Sequence, residues 1–383
     1  MYKIFISAGE ASGDLNGASL AAALKTRQPD AAVFGMGGEM MRAAGVEIVY
    51  DIADLGVMGI VEVAKSLPKL FRLRDFLADW LARERPDVLV VIDYPGFNTR
   101  LAKIAKRLGI PVVSYISPSA WAWGRGRAKE VAATVTKVAA IFPFEADVYR
   151  QAGADVVFVG HPLLDIVKPA LPAEEARRLF GAAAGKPAIL LMPGSRRQEI
   201  DRLLPVMLAA MEKVAADVPD CQFYLPVAST ISREILQNII SCYNIDVRLT
   251  TGNTYDLMSI GSVAVAASGT ATLETAIMGL PTVIVYKMAT LTYLLGRLLV
   301  KIPNIGLPNI VAGRRVVPEL VQDEASAANI ARETLAILTD PAVRGRITAD
   351  LAAVRQKLGE SGAVGRVAEV ILEVAASGHG GAA

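Results

Sequence analysis

The chain begins with the run Tyr2-Lys3-Ile4-Phe5-Ile6-Ser7-Ala8-Gly9-Glu10-Ala11-Ser12-Gly13-Asp14, and a helical segment at 15–24 follows it. An apolar strand that stops at a loop of small residues and continues into a helix is typical of an open α/β sheet. Such a loop leaves free backbone N–H groups at the helix N-terminus. It also lies at the carboxyl end of the strand, where these sheets bind ligands. The sequence therefore predicts an α/β fold with a binding crevice at this loop.

The same loop gives only a weak signal for a nucleotide. Gly9 and Gly13 are four positions apart, so the loop does not match the GxGxxG fingerprint of dinucleotide sites. Glu10 and Asp14 also argue against a phosphate at this point and favour a neutral, hydroxylated group. We predict that Gly9, Glu10, Ser12, Gly13 and Asp14 contact a sugar substrate, with capping of the loop as the alternative role of the two acids.

Length and composition narrow the class of protein. At 383 residues the chain exceeds one comfortable core, so two domains are expected. A net charge of +2 without a basic run argues against a nucleic-acid partner. The first ten residues lack the pattern of a secretion signal, and the two cysteines suggest neither a disulfide framework nor a metal cluster. We expect a cytoplasmic protein.

Strands and helices alternate along the whole chain, and the pattern restarts after a proline-rich segment at 162–187, a plausible linker. The predicted strands of the two halves are 2–6, 32–38, 87–93, 111–116, 138–142 and 156–160, then 188–192, 222–226, 247–250, 263–267 and 282–286. This rhythm predicts two α/β domains facing across a cleft. The predicted bounds are 1–165 for the first domain, 166–340 for the second, and 341–383 for C-terminal helices with a disordered tail from 377.

The second half contains the stronger nucleotide signal. A strand ends at Pro193-Gly194-Ser195-Arg196, where loop amides, a hydroxyl and a guanidinium would suit a diphosphate. A second strand ends at Ser268-Gly269-Thr270, and Glu274 follows one helical turn later, placed to accept hydrogen bonds from a ribose. Either turn alone could be an ordinary capped βα turn. Together they favour nucleotide binding.

Asp93 and His161 are the candidate polar groups of the first half. Asp93 ends a buried strand, where partial desolvation would raise its pKa toward the range of a general base; the alternative is a helix cap. His161 follows a strand in Gly160-His161-Pro162 and either touches substrate or caps that strand. No Asp-x-Asp triplet occurs in the chain. We therefore expect neither a metal nor a cofactor, and leaving-group charge would be carried by Arg196 and helix dipoles.

Two stretches combine large apolar residues with cations. The segment 59–76 suits a membrane interface, with apolar side chains inward and Lys and Arg against anionic headgroups, and 291–301 is a second candidate. An ordinary amphipathic helix packed on a sheet explains either stretch equally well. Trp121 and Trp123, followed by Arg125 and Arg127, suit a cleft for an amphiphile, although core packing explains them too.

Several of these stretches together resemble one family, the lipid-A-disaccharide synthases. The matching motifs occur in family order and are Ala8-Gly9-Glu10-Ala11-Ser12-Gly13-Asp14, Val57-Met58-Gly59-Ile60-Val61-Glu62-Val63, Ile92-Asp93 with Phe97-Asn98, Ser117-Pro118-Ser119-Ala120-Trp121-Ala122-Trp123, Pro193-Gly194-Ser195-Arg196, Ala267-Ser268-Gly269-Thr270 with Glu274, and Leu307-Pro308-Asn309. The resemblance implies a GT-B fold with C-terminal helices crossing back toward the first domain. It also implies a metal-independent, inverting hexosyltransferase. The implied reaction joins UDP-2,3-diacylglucosamine to 2,3-diacylglucosamine 1-phosphate through a β-1,6 bond and releases UDP, in lipid A biosynthesis.

The resemblance also implies roles for individual residues. Asp93 matches the essential acidic residue of the family, and Arg196 and Asn309 match positions needed for donor binding or activity. Peripheral association with the inner membrane would use the region of Val61, Val63, Leu67, Leu70 and Phe71. A homodimer with exchanged C-terminal segments is a further possibility. One departure is Gly96, where many members carry Asp; a retained Asp93 suffices for a single base in an inverting displacement.

Two alternatives remain from the sequence. Another GT-B enzyme that uses UDP-N-acetylglucosamine, either a transferase or a 2-epimerase, would share the motifs of the second half. It would not be expected to carry the apolar and basic segment or the tryptophan pair. A non-enzymatic two-domain ligand-binding protein would share the architecture, but the lack of a secretion signal disfavours a periplasmic receptor.

Overall fold

The computed structural model describes residues 1–55, 60–117, 125–288 and 303–379, without the side chains of 54–55, 60–67, 125 and 378–379. The chain divides into two compact units. The first unit combines Met1–Pro162 with the C-terminal segment from Gly359, and the second is Leu163–Leu358. Each unit is built around one parallel sheet.

The first unit has a seven-stranded parallel sheet in the order β3-β2-β1-β4-β5-β6-β7. Its strands are β1 Lys3–Ala8, β2 Ala32–Gly37, β3 Glu47–Asp51, β4 Val88–Ile92, β5 Val112–Tyr115, β6 Lys137–Ala140 and β7 Val156–Phe158. Its helices are α1 Ala11–Arg27, α2 Glu39–Ala43, α3 Ile60–Glu84, α4 Pro95–Arg107, α5 Arg125–Ala132, α6 Pro143–Gln151 and the final helix Ala363–His379, with a 3₁₀ turn at Ile52–Leu55. All five residues of β4 are buried, as expected for a strand covered by helices on both faces.

The second unit has a six-stranded parallel sheet in the order β10-β9-β8-β11-β12-β13. Its strands are β8 Ala188–Met192, β9 Gln222–Pro226, β10 Val247–Thr250, β11 Val263–Ala267, β12 Thr282–Tyr286 and β13 Glu319–Val321. Its helices are Leu163–Ile166, Ala173–Phe180, Arg197–Asp217, Arg233–Ile240, Thr254–Ile260, Thr270–Ile277, Leu307–Ala312, Ala327–Thr339 and Pro341–Lys357, with a 3₁₀ turn at Gln322–Glu324. Both sheets are therefore doubly wound, which confirms the predicted Rossmann-like halves.

Two strands were missed from the sequence, and both lie at the edge of a sheet. Each residue of β3 is exposed or only partly buried, so the strand lacks the continuous apolar run that marks the central strands. The other missed strand, β13, has only three residues. Edge strands are often short or carry polar side chains, because a long apolar edge would pair with other chains.

The C-terminal segment does not form a unit of its own. The helix Pro341–Lys357 belongs to the second unit and the final helix to the first. The final helix is held there by an ion pair of 2.9 Å between Arg27 and Glu369 and by a hydrogen bond of 2.8 Å from Arg366 Nε to the Val159 carbonyl. It continues to His379, so the prediction of disorder from residue 377 is wrong for 377–379, and 380–383 lie outside the described residues.

Apart from Pro162, the proline-rich segment at 162–187 is part of the second unit and not a free linker. It contains the helices Leu163–Ile166 and Ala173–Phe180. The buried carboxylate of Asp256 accepts hydrogen bonds from the backbone N–H groups of Ala170 (2.7 Å) and Leu171 (2.8 Å). These bonds fix the connection between the two helices. Within the described residues, no helix has the length and apolar character needed to cross a membrane.

Candidate functional site

The two sheets place their loops according to the same rule. Strand order reverses between β1 and β4 in the first sheet and between β8 and β11 in the second. Ligands of open α/β sheets bind at the carboxyl ends of the strands beside such a switch point. The loops found there are Gly9–Glu10 and Asp93–Tyr94 in the first unit, and 193–196 and 268–269 in the second. All four loops carry residues predicted from the sequence.

Asp93 lies directly after β4 in an unusual backbone conformation. Asp93 and Tyr94 both have left-handed φ angles, +46° and +50°. For residues with a β-carbon this conformation costs about 1–2 kcal/mol each, so the surroundings must enforce it. The Asp93 carboxyl is partly desolvated, which raises its pKa above the ordinary value, while a hydrogen bond with the Tyr94 backbone opposes the shift. A raised pKa suits a general base, as predicted.

Asn98 is fully buried beneath this turn, near the start of α4. Its Nδ2 donates to the carbonyls of Asp93 (2.8 Å), Ile92 (3.1 Å) and Ser7 (3.2 Å). Its Oδ1 accepts the hydroxyl of Ser7 at 2.6 Å. Asn98 therefore ties the ends of β1 and β4 to the backbone of the candidate base.

Position 9 must be a glycine because the Tyr94 ring lies against its backbone. A β-carbon at this position would clash with that ring. Burial raises the pKa of Tyr94, and the charge of Glu10 adds to the shift. The strand-end loop and the Asp93–Tyr94 turn are therefore packed directly against each other.

The predicted contacts of the first loop divide into two groups. Glu10 and Ser12 are exposed and available to a ligand. Gly13 is buried, and a β-carbon there would lie 3.2 Å from the Ala8 side chain, so this glycine serves close packing of α1 on β1. The Asp14 carboxylate accepts three backbone N–H groups, from Gly38 (2.7 Å), Met40 (3.0 Å) and Met41 (3.1 Å). Asp14 therefore caps α2, and we withdraw it as a sugar ligand.

His161 is buried at the end of the first unit's chain segment, with its ring 4.8 Å from that of Phe142. Desolvation lowers its pKa to about 4, so the imidazole is neutral at pH 7. The structure places it after β7, as predicted, and supports a neutral hydrogen-bonding or packing role.

A cavity of about 480 Å³ opens at the switch point of the second sheet. Its lining comes from three strand-end loops, 193–196, 226–228 and 267–271, together with Met192, Glu199 and Thr254. This volume is in the usual range of small-molecule sites. The loops predicted to hold a nucleotide thus line one cavity.

The loop at 193–196 differs from its predicted role in one respect. Glu199 Oε2 accepts the backbone N–H groups of Ser195 (3.0 Å) and Arg196 (3.2 Å), and Glu199 Oε1 accepts Nη1 of Arg196 at 2.9 Å. These two amides are therefore already used and not free for a diphosphate. Gly194 leaves room for Glu199, because a β-carbon at Gly194 would lie 2.9 Å from the Glu199 Cβ. The Arg196 side chain is 81% exposed and can turn to an anion.

Glu199 was missed from the sequence, although a local signal existed. It stands three residues after Arg196, at the position of the acidic partner in a capping box. An acid there accepts the backbone N–H of the N-cap residue, here Arg196, just before the helix Arg197–Asp217.

The loop at 268–270 presents the start of the helix Thr270–Ile277. Gly269 and Thr270 are exposed, and the first N–H groups of a helix have no intrahelical acceptor. Glu274 lines an adjoining cavity of about 440 Å³ and accepts a hydrogen bond from the Tyr255 hydroxyl at 3.2 Å. Partial burial raises the pKa of Glu274. Gly269, Thr270 and Glu274 line the two cavities, and their contact with a ligand stays a prediction.

Asn309, predicted to be catalytic, is instead fully buried. Its Oδ1 accepts the N–H groups of Val316 (2.6 Å) and Val317 (3.0 Å), and its Nδ2 donates to the Val317 carbonyl (3.0 Å) and to Glu319 Oε1 (2.6 Å). Every hydrogen-bonding position of the amide is used. Asn309 therefore has no hydrogen-bonding position free for a substrate.

Asn309 is linked through Glu319 to the cavity of about 480 Å³. The buried Glu319 carboxylate also accepts the N–H groups of Ile305 and Gly306, both at 3.0 Å. Ser268 Oγ in turn donates to the Ile305 carbonyl at 3.0 Å. Ser268 thus anchors the cavity loop to the 305–306 turn, which Glu319 and Asn309 hold. Glu319 was missed because its role depends on partners that sequence spacing does not indicate.

The proposed membrane residues are only partly described. The side chains of Val61, Val63 and Leu67 lie outside the described residues. Leu70 is partly buried and packs against the core of the first unit, which argues against its predicted membrane-facing role. Phe71 is 41% exposed, with the guanidinium groups of Arg74 and Arg100 5.1 and 5.6 Å from its ring centre. The Val57–Gly59 motif, the tryptophan pair at 121 and 123, and the segment 291–301 also lie outside the described residues.

Solved structures with a similar fold are distant from this chain in sequence. The chain superimposes on UDP-GlcNAc 2-epimerase from Neisseria meningitidis bound to UDP-GlcNAc with a TM-score of 0.68 at 14% identity, covering 97% of this chain and 100% of that one. It matches MurG of Acinetobacter baumannii with a TM-score of 0.61 at 15% identity, covering 97% and 99%. These likenesses establish the two-domain GT-B architecture.

Sequence relatives are much closer. The chain is 44% identical to the lipid-A-disaccharide synthase of Geobacter sulfurreducens over 97% of both chains, and 45% identical to that of Syntrophus aciditrophicus over 96% and 97%. The relative from Myxococcus xanthus is 41% identical over 98% of both. The family model described as lipid-A-disaccharide synthetase matches residues 4–364. The chain belongs to the lipid-A-disaccharide synthetase family.

Proposed function

We propose that this chain joins UDP-2,3-diacylglucosamine to 2,3-diacylglucosamine 1-phosphate through a β-1,6 bond and releases UDP. The observation that carries this proposal is the full-length match to curated lipid-A-disaccharide synthases at 41–45% identity. The geometry supports it, because one unit presents a desolvated carboxylate and the other a cavity with an exposed arginine.

The proposed reaction is a single inverting displacement. Asp93 takes the proton of the acceptor 6-hydroxyl, whose oxygen forms a bond to the anomeric carbon of the donor. The bond from that carbon to the diphosphate oxygen breaks, and its electron pair leaves with UDP. Arg196 and the helix start at Gly269 and Thr270 stabilise the negative charge that develops on the leaving group.

In this mechanism the donor binds to the second unit and the acceptor to the first. We place the diphosphate against Arg196, Gly194, Gly269 and Thr270, with Ser268 holding the loop. Glu274, in the adjoining cavity, accepts hydrogen bonds from sugar hydroxyls of the donor, and Tyr255 orients it. On the acceptor side, Glu10 and Ser12 are the exposed polar groups beside Gly9.

A reconstitution assay tests the proposal. Purified full-length chain is incubated with both acylated substrates and with EDTA. We expect UDP and the disaccharide 1-phosphate in equal amounts, since no step of the proposed displacement requires a metal. Incubation with UDP-N-acetylglucosamine alone is the matched control for the epimerase-like fold. Epimerisation of that sugar nucleotide, or no disaccharide from the acylated pair, would refute the assignment.

We also propose that the protein acts at the cytoplasmic face of the inner membrane as a peripheral protein, through α3. Phe71 and Phe76 are exposed on this helix, at 41% and 49%, and the guanidinium groups of Arg74 and Arg100 lie beside Phe71. Replacing both phenylalanines with Ser should weaken binding to vesicles that contain anionic lipid. Leu70→Ser is not a suitable probe because Leu70 packs on the core. Equal sedimentation with vesicles before and after the double change would contradict the proposal.

The C-terminal helix offers a route to a swapped homodimer, which we propose as a second association. Its contacts with the first unit include the Arg27–Glu369 ion pair, and the same contacts can be made by the equivalent helix of a second copy. Light scattering across a concentration series tests this. A strictly monomeric mass at all concentrations would argue against it.

A further inference from the structure

The turn that carries Asp93 is held by side chains from outside the turn. Two consecutive residues with β-carbons, Asp93 and Tyr94, keep left-handed φ angles. A backbone in this region persists only where its neighbours over-determine it. The structure must therefore contain groups whose role is to prevent this turn from relaxing.

Asn98 meets that description most directly. It is 2% exposed, and its Nδ2 donates to the Asp93 carbonyl at 2.8 Å and to the Ile92 carbonyl at 3.1 Å. The two acceptors are the last residue of β4 and the first residue of the strained turn. The amide thus spans the point at which the chain leaves the sheet.

Ser7 fixes the orientation of that amide. Its hydroxyl, 0% exposed, donates to Asn98 Oδ1 at 2.6 Å, and its carbonyl accepts Nδ2 at 3.2 Å. Ser7 pairs with Val91 in the register of β1 and β4, so the contact joins the two strands on either side of the switch point. An amide held at both its oxygen and its nitrogen cannot flip and lose the bond to Asp93.

Two further contacts close the remaining sides of the turn. The Asp93 N–H donates to the Ile116 carbonyl after β5 at 3.2 Å, and the Tyr94 ring covers Gly9. The first of these contacts comes from a backbone carbonyl and the second from a ring of the turn itself. Asn98 differs from both, because all its side-chain hydrogen bonds go to the turn and to the strands β1 and β4.

We propose that Asn98, oriented by Ser7, is a positioning residue that sets the place and direction of the Asp93 carboxylate for proton abstraction. This inference rests on the proposed role of Asp93 as the base. The alternative is that Asn98 only anchors the start of α4 and affects stability alone. The two readings differ in whether the effect of Asn98 on turnover depends on Asp93.

A double-mutant cycle distinguishes them. We expect Asn98→Ala to lower kcat by about 10- to 100-fold, because small misplacement of a reacting group has effects of that size. The KM for the UDP-sugar should stay within about twofold, since the donor cavity lies in the other unit. In an Asp93→Asn background, Asn98→Ala should have no further effect on the residual rate, because the group that it positions is gone.

Leu101→Ala is the matched control. Leu101 is fully buried on the same helix, so its truncation destabilises α4 without removing a hydrogen bond to the turn. This control should lose thermal stability but keep kcat within about threefold. Ser7→Ala provides a milder second variant if Asn98→Ala does not fold, and we expect a kcat loss of about 3- to 10-fold from it.

The outcomes separate the inference from the proposed function. If both variants lower kcat no more than Leu101→Ala does, or if their effects persist undiminished in the Asp93→Asn background, the positioning role is refuted while the base stands. If Asp93→Asn itself keeps near-normal turnover, the proposed base is refuted, and the positioning role fails with it.

Discussion

Each unit of this protein contains a buried asparagine at the carboxyl edge of its sheet, and the two asparagines hold the neighbouring backbone in different ways. Asn98 bonds directly to the backbone of Asp93. Asn309 bonds to Glu319, which holds the 305–306 turn, and that turn receives the Ser268 hydroxyl. The first arrangement places one carboxylate, whereas the second shapes a loop at the rim of a cavity.

The difference suggests a division of labour between the units. A general base needs a fixed direction and a tuned pKa, and the first unit supplies a strained, partly desolvated Asp93. A donor site needs room and charge, and the second unit supplies a cavity of about 480 Å³ with an 81%-exposed Arg196 at its edge. We therefore expect changes in the first unit to affect kcat and changes in the second to affect donor affinity.

The largest expected effect follows from removing the base. Asp93→Asn should lower turnover by about 10²- to 10⁴-fold, because an amide cannot accept the acceptor's proton in the displacement. Stability should not fall, since burial already disfavours the charged form of Asp93. Initial rates of UDP release measure the first effect and thermal unfolding the second. Turnover within tenfold of the parent chain would contradict the role.

Asn309→Ala should have the next largest effect, and a mixed one. It removes the donor to Glu319 and leaves the N–H groups of Val316 and Val317 without their acceptor. Unsatisfied buried groups cost about 1–3 kcal/mol each, so the free energy of unfolding should fall by roughly 2–4 kcal/mol. The affinity for the UDP-sugar should fall as well, because Glu319 then holds the 305–306 turn less firmly.

Val311→Ala is the control for that prediction. Val311 is buried on the same short helix but takes no part in the side-chain network of Asn309 and Glu319. We expect it to cost about 1 kcal/mol of stability or somewhat more, with unchanged donor affinity. Equal losses of affinity in the two variants would mean that Asn309 is only a packing residue.

Glu145 sharpens the comparison, because it is a buried carboxyl without the full set of partners that Glu319 has. It is 2% exposed, and its Oε2 has no hydrogen-bond partner among the residues that the structure describes. Burial raises its pKa to about 8. Between the unfolded value of 4.5 and about 8, the folded state holds a proton that the unfolded state has lost. This contribution to stability is therefore complete below pH 4.5 and falls as the pH rises to about 8, by at most about 1.4 kcal/mol per pH unit.

Glu145→Gln should remove that dependence. The free energy of unfolding of the variant, measured by urea titration at pH 5, 7 and 9, should match the parent chain at pH 5 and exceed it at pH 9. A parallel pH dependence in the two proteins would show that Glu145 ionises as readily in the folded state as in the unfolded one.

The sequence predicted the central features of the fold and the site because these depend on local patterns. Strands buried on both faces read as continuous apolar runs, and the predicted bounds of 188–192 and 263–267 agree with β8 and β11. Asp93 and Arg196 were found because they follow such strands. Both stand at switch points of the sheets.

What escaped prediction depends on contacts between distant parts of the chain. Ser7 and Asn98 are 91 residues apart, so their hydrogen bond has no sequence signature. Asp14 was assigned to a ligand because an acid suits sugar hydroxyls, and Asn309 because it matches a position needed by the family that the sequence resembles. The structure instead satisfies both with backbone groups, from 38–41 in one case and 316–317 in the other. A polar residue beside a crevice can bind a ligand or hold backbone groups, and only its hydrogen-bond partners in the folded structure show which.

The most direct test of the division between the units is UDP binding, measured by titration calorimetry on single variants. Asp93→Asn should bind UDP within about twofold of the parent chain while forming no disaccharide. Arg196→Ala should bind UDP roughly 10- to 100-fold more weakly, as expected for loss of a charged hydrogen bond. The guanidinium of Arg197 pairs with Asp201 at 2.8 Å, so Arg197→Ala should bind UDP as the parent chain does. Weakening of UDP binding by Asp93→Asn to the level of Arg196→Ala would contradict the account.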